Sequence, residues 1–462
     1  MYKYPVPDPV LYQKLLLAYE HCLKNKRHVK KSRFHLNHES WIHGLALDLQ
    51  NNRYKPGMST IFVVTKPKPR EVVAASLRDR VVHHFIYDYM APYWEKRFVS
   101  QSYACRKGKG PLQAGRDLEA FFLRHERSGG APLWYLQVDV QSFFPSIDLN
   151  ILYEIIARHL TNPLYLDLCR EIIFHRPSRK GAFRITSPKS FWNRLPRYKS
   201  LFAAPDHLGL GIGNLTSQFF ANIYMNEADQ YIVHHLKHRF LHYQRYVDDL
   251  CFFHSDPNQL RILSREVETF LNMRLRLKLN PKKTLLQPLA RGLDHLGFLY
   301  KPRYRLVRHR VVQSCKDAVK EALKLETAGP HDMHRVRSQI NSYMGHFSYA
   351  RSSRLKGHIA QCLGKSPLLA KKMAFDPRCS MYKLLPDEEG DALRKSREED
   401  LKASCIRAIL HSEGQEKLQT LRLEIDEHGV HHLGGWVPIE DLMEAGRAHF
   451  AADSPTPGTA VP

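Results

Sequence analysis

A chain of 462 residues is long enough for several domains and a sizeable core, and this one carries 70 Lys and Arg against 46 Asp and Glu, a net charge of +24. That excess points to a polyanionic partner. Its eight cysteines form no C-x-x-C pair, no apolar run reaches membrane-helix length, and Met1–Pro9 does not read as a signal peptide. These features exclude a disulfide framework, a zinc ribbon and a membrane span, and the expectation is a cytoplasmic protein with no membrane partner.

In chain order, Pro9–Asn51 reads mostly helical, with Leu11, Leu15, Leu16, Tyr19 and Leu23 at helical spacing. The basic run Lys24–Arg33 suits either a solvated face or contact with a nucleic-acid backbone. Ser59–Val73 alternates as two strands around the turn T-K-P-K-P-R, which gathers Lys66, Lys68 and Arg70. Such a tip can meet phosphate oxygens or simply solubilise a turn. Arg78–Tyr89 reads as a helix. Gln101–Gly110 (Q-S-Y-A-C-R-K-G-K-G) follows, with Arg106, Lys107 and Lys109, and Leu112–His125 is an amphipathic helix.

Leu133–Asp139 (L-W-Y-L-Q-V-D) is an apolar strand that delivers a carboxylate at its end, and Val140–Asp148 turns at Pro145. Leu149–Phe174 is helical. Arg176–Lys199 reads as a basic, irregular surface loop whose cations suit RNA. Gly209–Asn226 (G-L-G-I-G-N-L-T-S-Q-F-F-A-N-I-Y-M-N) begins with three glycines but lacks the Gly-Lys-Ser/Thr ending of a nucleoside triphosphatase. A helix, Thr216–His235, overlaps it. Tyr243–His254 (Y-Q-R-Y-V-D-D-L-C-F-F-H) then sets two strand-forming runs around Asp248 and Asp249, a hairpin with adjacent carboxylates at its tip. Adjacent carboxylates repel and resist burial unless something positive neutralises them, and a hard cation such as Mg²⁺ does so through oxygen ligands. A bare Asp-Asp pair is more often a solvated acidic turn than a metal site; Asp139 supplies the third carboxylate.

Downstream, Gln259–Leu275 is an apolar-periodic helix, and Leu277–Thr284 (L-K-L-N-P-K-K-T) ends in Lys282 and Lys283. Gly292–Tyr300 (G-L-D-H-L-G-F-L-Y) reads as a hairpin. Val336–Leu363 places Val336, Ile340, Tyr343, Met344 and Phe347 at helical spacing, interleaved with Arg335, Arg337, Arg351 and Arg354. The charge is uneven: residues 364–462 hold 13 Lys and Arg against 17 Asp and Glu, leaving 57 against 29 in the body. Asp387–Asp400 is highly charged, Leu421–Leu433 suits a strand pair, and Ala451–Pro462 is small and Pro-rich, the composition of a disordered end.

Asp139 with Phe144 five residues on, the glycine segment and Tyr246-Val247-Asp248-Asp249 together resemble the reverse transcriptase family, over roughly Leu11–Gly364. The resemblance implies an α+β right-hand polymerase with an appended C-terminal region: N-terminal helices and fingers over 1–130, palm over 131–295, primer grip and thumb over 296–363, and an extension over 364–462. It implies two Mg²⁺ ions held by Asp139, Val140, Asp248 and Asp249. It carries incoming-nucleotide contacts to Lys68, Arg70, Phe144, Ile212, Gly213, Gln218 and Lys283, with Phe144 under the sugar and Lys283 near the departing pyrophosphate. Contacts to nucleic acid fall to Arg106, Lys107, Lys109, Arg335, Arg337, Arg351 and Arg354. A lone turn lysine at 283 and a core phenylalanine at 144 are the structural alternatives. The partners are template RNA, the RNA/DNA duplex and dNTPs.

The resemblance is to the bacterial, group II intron and retron-like superfamily; most reverse transcriptases carry glutamine before the motif's glycine and proline after its serine. Here those positions are Ile212 and Gln218. The I-G-N-L-T-S-Q form, R-D-R-V-V-H-H and S-Y-A-C-R-K-G-K-G resemble diversity-generating retroelement enzymes, which copy RNA with errors at adenines alongside a small basic accessory protein. The C-terminal extension also suits a defence-associated (antiphage) reverse transcriptase. A non-catalytic RNA-binding protein is a third reading, opposed by three intact aspartates.

Overall fold

The computed structural model describes residues 6–24, 38–65, 68–176, 182–325, 329–376 and 381–385, with three short strands between 424 and 438. Most of the basic run Lys24–Arg33, Lys66, Asp387–Asp400 and Ala451–Pro462 lie outside the described residues. The chain forms two compact units. One comprises Met1–Cys22, His43–Ala318 and Ser342–Ile359; the other comprises Leu23–Ile42, Val319–Asn341 and Ala360–Pro462. Among the described residues no helix is long and apolar enough to cross a membrane.

Helix and sheet are mixed throughout the larger unit. The expected hairpin around the basic turn forms from β1 (Ser59–Val64) and β2 (Arg70–Ala74), paired antiparallel. Strand β3 (Trp134–Asp139) comes next. Strand β4 (Phe183–Ile185) then returns parallel to β1. The segment Arg176–Lys199 is therefore not wholly irregular: a long-range pairing, invisible to local pattern, recruits Phe183–Ile185 into the β2-β1-β4 sheet. Strands β5 (His242–Tyr246), β6 (Asp249–His254) and β7 (Leu285–Pro288) join β3 in a four-stranded antiparallel sheet ordered β5-β6-β3-β7. Strands β8 (Leu293–His295), β9 (Phe298–Lys301) and β10 (Tyr304–Val307) form a third sheet with β9 in the middle, one strand beyond the expected hairpin.

The four-stranded sheet shows why the site lies where it does. Side chains alternate between faces. On one face the cross-strand pairs Tyr135↔Phe253, Gln137↔Cys251 and Asp139↔Asp249 run in sequence from a packed core to the carboxylates. Tyr135, Cys251 and Phe253 belong to a buried cluster with Leu118, Phe121 and Phe122 of the Pro111–Arg127 helix. On the other, Leu136↔Phe252 and Val138↔Leu250 are buried. The Pro257–Leu275 helix packs on the sheet and buries Leu260, Leu263, Val267, Leu271 and Leu275 at spacings of three and four.

Two expected long helices are each broken. Leu149–Phe174 divides into Leu149–Ala157 and Pro163–Ile173, because Asn162 caps the second with its side chain and Pro163 opens it. Val336–Leu363 divides between Pro330–Phe347 and Ser353–Gly364. There the Ser352 hydroxyl donates to the Phe347 carbonyl at 2.6 Å and ends the first helix.

Candidate active site

Asp139, the last residue of β3, stands directly opposite Asp249, the first residue of β6. Tyr246 pairs with Asp249, so Val247 and Asp248 form a two-residue turn at the same end of the sheet. Val247 has φ of +59°, a left-handed conformation that costs a β-branched residue about 1–3 kcal/mol. Two bonds hold it there. The Arg245 guanidinium donates to the Val247 carbonyl at 2.8 Å. The Val140 amide donates to the Asp248 carbonyl at 3.2 Å, which ties the turn to β3.

Arg245 is fully buried beneath this turn, and all five of its N–H donors are used. Besides Val247, they reach both Asp229 oxygens at 2.6–3.0 Å, Asn222 at 3.2 Å and the Ser102 hydroxyl at 2.9 Å. Burial alone would pull the guanidinium pKa down; the Asp229 charge and hydrogen bonds more than offset this and hold it above its ordinary value. Asp229 also accepts from the Tyr243 hydroxyl at 2.7 Å, and Asn222 donates to the Ala104 carbonyl at 2.8 Å. Backbone bonds from Arg245 to Gln101 and from Tyr103 to Arg245 complete the lattice. The turn is thereby joined to the Gln101–Ala104 segment and to the Leu215–His235 helix. Sequence reading missed Arg245, Asn222 and Asp229 as site residues. The available signal was a charged residue two positions before the turn, on the otherwise strand-like run Tyr243–Tyr246.

The carboxylates are unequal. Burial, then the charge of Asp139, raises Asp248 to about 6, with Asp249 adding to the rise and Lys283 opposing it. Asp139 pairs with Lys283, whose Nζ lies 2.6 Å from Oδ1. Asp249 receives the Gln137 amide at 3.1 Å on both oxygens. Lys283 is therefore no bare turn lysine. Among the described residues no three His, Cys, Asp or Glu side chains surround a common point suited to a metal ion. The donor chemistry nevertheless fits a hard cation: the groups are carboxylate oxygens, their mutual repulsion is unmet at Asp248, and an ammonium already sits on Asp139. Because a proton on Asp248 competes with a cation, Mn²⁺ affinity should rise as pH passes upward through about 6 and level off beyond about 7. Titrations between about pH 5 and pH 8 check this; a flat profile would contradict it.

Around the carboxylates, the expected nucleotide contacts fall as follows. Lys68 and Arg70 are exposed at the β1–β2 connection. Phe143 is buried and Phe144 half-buried, their rings 5.3 Å apart edge to face. The Phe144 carbonyl accepts from the Leu210 amide at 2.8 Å, and the Ile212 carbonyl from the Val73 amide at 2.6 Å. The glycine segment is thus laced to both β2 and the turn after β3. Ile212 is half-buried, whereas Gln218 is exposed on the first turn of its helix. Gly213 has φ of +127°, and a Cβ there would lie 2.5 Å from the Val73 carbonyl oxygen. Gly213→Ala should cost about 1–3 kcal/mol of stability and loosen the β2 contact, seen as a lowered melting temperature and a raised KM for dNTP. Unchanged values would mean the segment tolerates the clash.

The expected nucleic-acid contacts divide. Arg106 turns inward: it bonds Glu95 at 2.9 Å and the Val99 and Ser102 carbonyls at 2.7 and 3.0 Å, over the Phe98 ring. That structural role leaves no fork for a template phosphate. Lys109 caps the Ser100 carbonyl at 2.9 Å, while Lys107 is exposed. Arg351 and Arg354 are exposed in the larger unit; in the smaller, Arg335 is exposed and lies 3.5 Å from Asp332, and Arg337 is half-buried.

Residues 55–299, just over half of the chain, match the family model described as reverse transcriptase (RNA-dependent DNA polymerase). No curated protein matches the chain.

Proposed function

We propose, for a chain that belongs to the reverse transcriptase family and so is an RNA-directed DNA polymerase, a nucleotidyltransferase, that Asp139, Asp248 and Asp249 hold two Mg²⁺ ions and that the enzyme makes error-prone cDNA in a diversity-generating retroelement. The observation that carries the catalytic part is the register Asp139↔Asp249 with Asp248 in the β5–β6 turn just before Asp249, which brings three carboxylates to one end of a sheet.

Reverse transcriptases generally use divalent ions, usually Mg²⁺, which lower the pKa of the primer 3′-hydroxyl and neutralise the triphosphate. The chain's own groups bind and orient. Asp139 and Asp248 present oxygen ligands, and the backbone at Val140 fixes their spacing. Lys283 holds Asp139 and, once displaced, donates to the departing pyrophosphate. Lys68 and Arg70 hold the triphosphate from the hairpin tip. Phe144 lies under the sugar, where its ring excludes a 2′-hydroxyl. In this reading the four-stranded sheet is the palm, the β2-β1-β4 sheet belongs to the fingers, the β8–β9 hairpin grips the primer, and Arg351 and Arg354 of the larger unit and Arg335 and Arg337 of the smaller are each duplex contacts of the thumb segment. Lys107 and Lys109 face the template. The basic body suits template RNA, and a small basic accessory protein is the further partner this reading expects.

The error-prone part rests on Ile212. Its backbone anchors the segment to Val73, and its side chain offers shape without a hydrogen bond. Glutamine there adds a donor and an acceptor, worth about 0.5–1.5 kcal/mol, or roughly two- to tenfold in discrimination. Sequencing cDNA made on one RNA template by wild type and Ile212→Gln tests it. The expected result is excess wild-type error at template adenines, reduced in the variant. Equal, low error at every base would remove the retroelement reading and leave the polymerase.

A further inference from the structure

His295 is the last residue of β8 and is 1 % exposed. Neither ring nitrogen has a hydrogen-bond partner. Nδ1 lies 3.4 Å from Oδ2 of Asp249, the carboxylate that Gln137 already approaches from the neighbouring strand. The ring is held by its hairpin. His295 pairs with Phe298 across a two-residue turn in which Leu296 (φ +47°) and Gly297 (φ +97°) are both left-handed, the primed geometry that matches strand twist. Phe298 stacks on His346 with centroids 4.5 Å apart, and His346 Nε2 lies 3.3 Å from the Gly297 carbonyl.

A buried imidazole with two unpaired nitrogens is costly, and a core filler of the same shape would be apolar. We propose that His295 is a positioning residue for Asp249: its Nδ1 faces Oδ2 at 3.4 Å, and once the pair closes to hydrogen-bond range its N–H donates there, so that with Gln137 it fixes the carboxylate that would serve a divalent cation. Gln137 and His295 approach Asp249 from behind, whereas Asp139 is met by the ammonium of Lys283. Donors behind a ligand tune metal affinity in this way. The same contact links the β8–β9 hairpin to the catalytic end of the sheet, so the element proposed to hold the primer also sets a metal ligand.

The inference rests on the proposed reading of Asp139, Asp248 and Asp249 as a metal site, and its catalytic arm on the polymerase reading as well. Its test compares His295→Asn with His295→Leu, near-isosteric side chains of which only Asn places an N–H near the position of Nδ1. Mn²⁺ binding is followed by electron paramagnetic resonance without nucleic acid, and DNA synthesis is measured separately. Leu should weaken Mn²⁺ binding about tenfold or more and lower kcat with little change in KM for dNTP. Asn should stay within about threefold of wild type, and the two variants should melt alike. Equal Mn²⁺ binding by Leu and wild type, or equal impairment of Asn and Leu, would reduce His295 to packing and overturn the proposal. A wild type that binds Mn²⁺ in this pattern yet makes no DNA would instead count against the polymerase reading.

Discussion

Asp248→Asn should lower DNA synthesis by about a thousandfold or more, while RNA affinity stays within about twofold. Asparagine keeps the shape of the turn and its backbone bonds, so the loss isolates the charge. Burial and the neighbouring carboxylates oppose ionisation of Asp248. That opposition is the measure of how much a cation gains there. The same substitution carries a stability signature of opposite sign. A carboxyl whose folded pKa is raised above its unfolded value stabilises the fold at low pH, and the contribution is lost as pH rises from about 4 through about 6. Without cations, Asp248→Asn should therefore melt at or above the wild-type temperature at neutral pH. Primer extension, gel shift and thermal melting on one preparation give all three numbers. Retained synthesis in the variant would remove Asp248 from the catalytic set.

Arg245→Met should destabilise the fold by about 3–5 kcal/mol, because it leaves Asp229 buried and unpaired. Adding Asp229→Asn should return a substantial part of that loss, since the stranded charge goes with it. Activity should not return with stability. The Val247 carbonyl would still lack its donor, and a turn held at a strained φ would be free to relax. Urea denaturation of the two single variants and the double variant gives the coupling energy, and extension assays give the separation. Additive losses would show that Arg245 and Asp229 act independently.

The parts legible in the sequence were those whose signal is local. The Asp-Asp hairpin declared itself through strand-forming residues on both sides of Val247 and Asp248, and β3 through an apolar run ending in Asp139. The Leu215–His235 helix was equally plain, because Phe219, Phe220, Ile223 and Tyr224 repeat at helical spacing. What escaped depends on distant partners. Phe183–Ile185 becomes a strand only because β1 lies beside it. Arg106 and Arg245 have the same chemistry as exposed arginines, and partners distant in sequence, Glu95 and Asp229 among them, turn them inward. His295 reads as a polar residue beside Asp294 in an otherwise apolar hairpin until Asp249 is placed next to it. The helix break at Asn162-Pro163 does carry a local signal, a capping residue followed by proline, set between apolar-periodic stretches on both sides.

The most direct test is incorporation of dNTPs by the purified wild-type chain on a DNA-primed RNA template, with chelator and then with Mg²⁺ restored. The expected result is RNA-templated DNA synthesis that stops with chelator, returns with Mg²⁺ and strongly disfavours ribonucleotides. An RNA-bound protein that incorporates nothing with either Mg²⁺ or Mn²⁺ would contradict the assignment of Asp139, Asp248 and Asp249 as a polymerase centre.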